Sequence, residues 1–281
     1  MERARGPVVD AHLHAWDLER SDYAWLTPEL GPLYATFTPE QAGAELEAVG
    51  IGSAVLVQAE DSERDTDLML EAARRHPWVA GVVGWVQLDD PAVAERQLDR
   101  RLQDPSFRGV RHLVHDDARD DFLALPSVRH SLRRLAEHDL PFDVPDAWPR
   151  HLAATADLAG ALEDLRVVVD HLGKPPFGGG DWDTWRRTLA AVAAHPNTTA
   201  KVSGLQVPDR SFTVAEVRPA WEVALELFGP GRLMWGSDWP LTVLVGGYGN
   251  AWDVMSALIA ELSPDEQAQV TRSTATSVYK L

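Results

Sequence analysis

Eight short apolar runs, each separated from the next by a segment of helical character, restrict this chain to a few α/β architectures. The runs fall at 8–14, 53–58, 79–87, 108–114, 141–144, 166–171, 198–203 and 232–237. Most are rich in Val, Leu and Ile without polar alternation, the pattern of parallel strands covered on both faces. Helix starts are written between them. Thr38-Pro39-Glu40-Gln41 supplies an N-cap, a first-turn proline and a capping-box glutamine, and Gly50 closes that helix. Asp90-Pro91 and Ser263-Pro264-Asp265-Glu266 give similar signals. Eight such repeats in 281 residues predict an α/β fold of the (β/α)8 TIM-barrel type. No linker or composition break divides residues 1–281, so a single domain is expected. An open doubly wound sheet is the competing arrangement. Against it, no Gly-x-Gly-x-x-Gly turn follows the first strand, and polar residues end most strands instead of one switch point.

Composition removes several classes of function. The chain has no cysteine, which excludes disulfides and thiolate chemistry. A net charge of −17 argues against nucleic acid as a partner, because phosphate binding needs a basic face. There is no basic, apolar leader and no run of roughly 18 apolar residues, so a cytoplasmic protein with no membrane partner is expected. Lys174, Lys201 and Lys280 are the only lysines.

Three connections exceed ordinary turn lengths: 15–37, 172–183 and 239–251. The first carries Trp16, Tyr23, Trp25, Tyr34 and Phe37; the others carry Gly178-Gly179-Gly180 and Gly246-Gly247-Tyr248-Gly249. All follow strands, which in a barrel places them over the mouth as a lid or substrate wall. Trp16, Tyr23 and Trp25 are expected to line the pocket.

Polar residues at strand ends carry the candidate chemistry. His12 and His14, two apart on one strand, project from the same face as half of a metal site or an electrophilic clamp. His171 follows three valines and is expected at the mouth, with Asp170 pointing away toward a helix. Asp238 ends the last strand, which a barrel places beside the first. There it could bind a metal or take a proton from water. Arg111 is placed to hold a carboxylate or lactone oxygen. His115 shares its face and His112 takes the other. Gln58 and Trp85 end the second and third strands and are pocket candidates, with His112 and Trp25. Lys201, on one face with Ser203, is either a nucleophilic amine or a charge partner for Asp238. The remaining histidines lie in helices and loops and are taken as structural.

The ordered motifs Asp10-Ala11-His12-Leu13-His14-Ala15-Trp16-Asp17, Gly109-Val110-Arg111-His112, Asp170-His171-Leu172-Gly173-Lys174-Pro175, Lys201-Val202-Ser203-Gly204-Leu205 and Trp235-Gly236-Ser237-Asp238-Trp239-Pro240 resemble the amidohydrolase-related (amidohydrolase-2) family. Within it they are similar to the branch of sugar-acid lactonases and pyrone-dicarboxylate lactonase. The resemblance implies that His12, His14, His171 and Asp238 are active-site and metal-binding positions. It implies a substrate-binding role for Arg111 and hydrolysis of a small-molecule lactone. The bridging lysine or glutamate of two-metal relatives is missing from strand four, and the fifth strand ends without a histidine. One divalent ion, Zn²⁺ or Mn²⁺, or none, is therefore implied.

These residues support a lactone hydrolase with Asp238 as base. A metal-dependent non-oxidative decarboxylase on the same scaffold and a non-catalytic sugar-binding protein are the rival functions. The first would release carbon dioxide. The second has no use for His-x-His with a distant aspartate.

Overall fold

The computed structural model describes residues 7–177, 179–207 and 211–281. All eight strands form in the predicted order: β1 (Val9–Leu13), β2 (Ser53–Val57), β3 (Val79–Gly84), β4 (Phe107–Arg111), β5 (Phe142–Val144), β6 (Val167–Val169), β7 (Thr198–Val202) and β8 (Leu233–Trp235). Each pairs in parallel with the next. Just past β8, the Asp238 N–H donates to the His12 carbonyl at 2.8 Å and the His14 N–H to the Trp239 carbonyl at 2.7 Å. These bonds and the parallel Leu13–Trp239 bridge close the ring. The fold is a (β/α)8 barrel.

Alternation along the strands sorts the core. Val55, Val57, Val83, Val168 and Met234 join Val9 and Ala11 in the barrel interior, with Ala275, Val278 and Tyr279 of the C-terminal helix. The intervening Leu56, Val82, Val110, Val167, Val169 and Leu233 belong to the larger core that the outer helices share. Both faces are apolar, which is why the strands read as continuous apolar runs. The expected helix starts are realised. Thr38 with Gln41 and Ser263 with Glu266 form reciprocal capping boxes, and Asp90 caps the helix Pro91–Arg101.

Several strands stop short of their apolar runs. β3 ends at Gly84, β6 at Val169 and β8 at Trp235. Beyond the last two, His171 and Asp238 leave the ladder and line the mouth. β1 also breaks its register between Asp10 and Leu13. That irregularity lets Ala11 face the interior while His12 and His14 turn inward as well, and Asp10 turns out toward Tyr248.

The first long loop differs from expectation. Trp16 and Tyr23 are only 2% and 5% exposed and pack with Leu26, Leu33 and Ala59 on the barrel rim. Their polar atoms are satisfied there: Trp16 Nε1 donates to the Ala35 carbonyl at 2.7 Å and the Tyr23 hydroxyl to Asp65 at 3.0 Å. Trp25 alone of the three lines the central cavity. Gly178 of the second loop lies outside the described residues. Among the described residues, no helix is long and apolar enough to cross a membrane.

Candidate active site

Four side chains meet at the mouth. His12 Nε2 and His14 Nε2 lie 3.0 Å apart, and Asp238 Oδ1 is 3.6 Å from the first and 3.5 Å from the second. His171 Nε2 completes the group at 3.9 Å from the same oxygen. Asp238 Oδ2 accepts from Gln206 at 2.7 Å, whereas Oδ1 is buried without a hydrogen-bond partner. A buried carboxylate oxygen facing three imidazoles and a cavity is a place for a water or a cation.

The backbone is bent to bring these groups together. His171 and Asp238 have φ of +56° and +58°, a left-handed conformation that ordinary residues seldom adopt. At His171 the turn carries the side chain inward although its strand parity matches that of Val167 and Val169, which face the helices. Two glycines make the room. A Cβ on Gly204 would lie 2.2 Å from His171 Nδ1, and one on Gly236 would lie 2.5 Å from the His12 Cβ. Ser203 Oγ meets His171 Nδ1 at 2.9 Å and orients the ring.

Burial controls the charges. Desolvation lowers the His171 and His12 pKa values, and Lys201 beside His12 lowers the latter further. Burial alone would raise Asp238, but His171, His14 and His12 together hold it well below the usual carboxylate range. At neutral pH the centre is an ionised carboxylate beside the neutral imidazoles of His12 and His171.

Beneath it lies a second layer. Lys201 Nζ pairs with Asp143 at 2.6 Å and Asp170 at 3.0 Å. Arg111 Nε donates to Asp170 at 2.9 Å. This corrects two expectations. Asp170 points into the barrel, because it continues the interior parity of Val168. Lys201 serves Asp143 and Asp170 instead of Asp238, and with 0% exposure and three close partners it is no nucleophile.

A cavity of about 260 Å³ opens above Asp238. His14, His171, Arg111 and Trp25 line it, as do His115, Asp116, Asp146 and Lys174. Gln58 is fully buried behind this wall, its amide donating to Asp61 at 2.8 Å. Trp85 Nε1 reaches His112 Nδ1 at 3.2 Å. His112 stacks on Phe122 with ring centroids 4.1 Å apart and lines an adjoining depression with Asp61 and Asp117. Asp146 and Gln206 escaped sequence reasoning. Both lie in loops after strands, where no periodicity marks the direction of a side chain.

The donor set fits one divalent ion. His12, His14 and Asp238 each offer an atom within 4.8 Å of the others, and the Asp238 oxygen is the orphaned one. His12, Asp170 and His171 form a second such group, but it reuses His12 and has the Lys201 ammonium 3.0 Å from Asp170.

A barrel that gathers His12 and His14 at the end of β1 and Asp238 past β8 sets imidazoles and a carboxylate where they can hold a water or a metal ion. The chain belongs to the amidohydrolase family, whose model matches residues 9–281. It is 35% identical over 285 residues to an L-fucono-1,5-lactonase of Burkholderia ambifaria, covering 97% of this chain and 95% of the relative. An L-fucono-1,5-lactonase of Burkholderia multivorans is 30% identical over 290 residues, covering 97% and 96%. The crystal structure of an amidohydrolase from Burkholderia multivorans with bound zinc matches with a TM-score of 0.88 at 29% identity, covering 98% of this chain and 99% of that one.

Proposed function

We propose that this protein hydrolyses a small lactone, most specifically a neutral sugar-acid lactone, with Asp238 as the general base. The observation that carries it is the unpartnered Asp238 Oδ1, held at the cavity floor within 3.5–3.9 Å of three imidazole nitrogens.

Asp238 holds a water by hydrogen bond and takes its proton as the water oxygen bonds to the lactone carbonyl carbon. So weakly basic a carboxylate accepts that proton only as the new bond forms. His171, oriented by Ser203, donates toward the developing oxyanion. The proton on Asp238 then passes to the ring oxygen as the acyl C–O bond breaks, and the product acid ionises. A divalent ion held by His12, His14 and Asp238 would supply carbonyl polarisation and a more acidic water.

The charge of the cavity favours a neutral ring. Its two cations are already engaged: Arg111 by Asp170 at 2.9 Å and Lys174 by Asp146 at 3.9 Å. Asp116 and Asp238 add negative charge to the same lining. A dicarboxylate would compete with Asp170 and Asp146 for those cations, whereas hydroxyls can bond to Asp146 and His115. Trp25 offers an indole face to the ring, and Arg111 reaches the substrate from the side. Gln58, Trp85 and His112 support that wall from behind.

A lactone library with a pH indicator tests this, with and without prior chelation. Acid release with neutral aldonolactones, and little with dicarboxylated lactones, is expected. No turnover of any lactone, or carbon dioxide release from an aromatic acid, would replace the proposal with a rival function.

A further inference from the structure

A second carboxylate faces the cavity beside His171. Asp146 lies in the loop after β5, and its Oδ1, like that of Asp238, is buried without a hydrogen-bond partner. His171 Nε2 is 3.9 Å from Asp238 Oδ1 and 4.0 Å from Asp146 Oδ1, so one ring serves as the neighbour of both. Neither His171 at that distance nor Lys174, whose Nζ is 3.9 Å from the other Asp146 oxygen, is a hydrogen-bond donor to Oδ1. With Lys174 beside it, the side chain is an ionised acceptor, which only a donor can satisfy. His115 Nδ1, in the same cavity lining, is buried and unpartnered as well. A ligand hydroxyl, which both donates and accepts, suits either atom.

The main chain fixes this carboxylate in place. Asp146 has a φ of +41°, a left-handed turn. Two residues on, the Trp148 N–H donates to the Gly173 carbonyl at 2.9 Å, which laces this loop to the one carrying His171 and Lys174. In the proposed reaction the lactone carbonyl oxygen meets His171. An oxygen hydrogen-bonded to His171 Nε2 at about 2.8 Å lies within about 7 Å of Asp146 Oδ1, the second leg being 4.0 Å. Among the ring substituents, the hydroxyl on the carbon next to the carbonyl is the donor nearest that oxygen, so it meets Asp146 first.

We propose that Asp146 is the specificity residue of this site: its Oδ1 accepts a hydrogen bond from the hydroxyl next to the lactone carbonyl and so selects 2-hydroxylactones over 2-deoxylactones. This assignment rests on the lactonase reading and adds the ring feature that the site demands. A ring lacking that hydroxyl would cover Oδ1 and leave it unpaired, the condition under which a site rejects an analogue strongly.

Six-membered aldonolactones, each beside its 2-deoxy counterpart, test this on the wild-type full-length protein, Asp146→Gly and Asp146→Asn. Glycine suits the φ of +41°, and asparagine keeps the shape with a weaker acceptor. Wild type is expected to favour the 2-hydroxylactone by about 10²-fold in kcat/KM. Asp146→Gly should bring the two substrates within roughly threefold, with Asp146→Asn in between. The ratio is blind to a general loss of activity, so a merely structural role for Asp146 would leave it at the wild-type value. Equal rates in wild type, or a preference unchanged in any folded variant, would overturn the proposal. The matching lactams, which resist hydrolysis, give the same comparison by calorimetry. A 2-hydroxylactam preference that disappears in Asp146→Gly, with no lactone turned over, would keep this assignment and sink the lactonase reading. Turnover without a preference would do the reverse, and neither turnover nor lactam binding would overturn both.

Discussion

The main-chain N–H of Asp238 donates to the carbonyl of His12 at 2.8 Å, across 226 positions of sequence. One hydrogen bond therefore both closes the barrel and sets the carboxylate beside the imidazole. Placement of the proposed base is a property of the backbone, not of side-chain packing alone. Asp238→Asn should accordingly keep the fold and KM. The amide cannot accept the water proton, so kcat should fall by about 10²–10⁴. Steady-state kinetics with thermal melting checks this, and near-normal kcat in a folded variant would remove Asp238 from the mechanism.

Gly204 gives a sharper geometric test. Its φ is +58°, and a Cβ would lie 2.2 Å from His171 Nδ1. Gly204→Ala should displace the imidazole and lower kcat by roughly 10²-fold, as expected for a catalytic group shifted by about 1 Å. The backbone conformation adds a cost of about 1–2 kcal/mol in stability. Kinetics in parallel with denaturant unfolding separates the two effects, and a stability loss with kcat intact would argue against a role for His171.

The aromatic loop splits into two kinds of residue. Trp25 lines the cavity while donating to the Ala59 carbonyl at 2.6 Å, whereas Trp16 is 2% exposed in the rim cluster. Trp25→Ala should raise KM, by up to about tenfold if a ring contact is lost, with kcat little changed. Trp16→Ala should instead cost about 3–5 kcal/mol of stability. Melting temperatures and KM values for the pair should move oppositely.

The pH profile follows from burial. Desolvation lowers the His171 pKa from 6.5, so this ring is neutral at pH 7 and becomes charged only in more acidic solution. kcat should be flat above pH 6.5 and fall below it as His171 protonates and pairs with the Asp238 carboxylate. An acidic limb centred above pH 6.5 would contradict this assignment.

Metal content is set by the donor inventory. Among the described residues the two carboxylate-and-histidine groups that could hold an ion share His12, so elemental analysis of purified protein should find at most one divalent ion per chain. Two tightly held ions would show that Asp170 and His171 also ligate.

The eight strands, their order and the capped helices were legible in the sequence, because apolar runs and capping boxes are local signals that the folded chain preserves. His12 and His14 were legible for the same reason: residues two apart on a strand end must lie side by side. Asp170 and His171 were assigned opposite faces by strand parity, and that rule fails once β6 ends at Val169 and the chain turns left-handed at His171. Trp16 and Tyr23 looked like lid residues because composition cannot say whether an aromatic side chain in a loop faces substrate or folds back on the barrel.

By itself the sequence determined the barrel and the set of chemical groups at its strand ends, since periodicity and residue type act over a few neighbouring positions. Tertiary structure alone decided how those groups are wired. Lys201 meets Asp143 and Asp170 because β5, β6 and β7 are neighbours with their interior residues at one level. Lys201 also comes within 3.1 Å of His12 Nδ1, 189 residues away in sequence. Hydrogen-bond direction depends on which groups come within about 3 Å, and chain connectivity leaves that distance open until the barrel has closed.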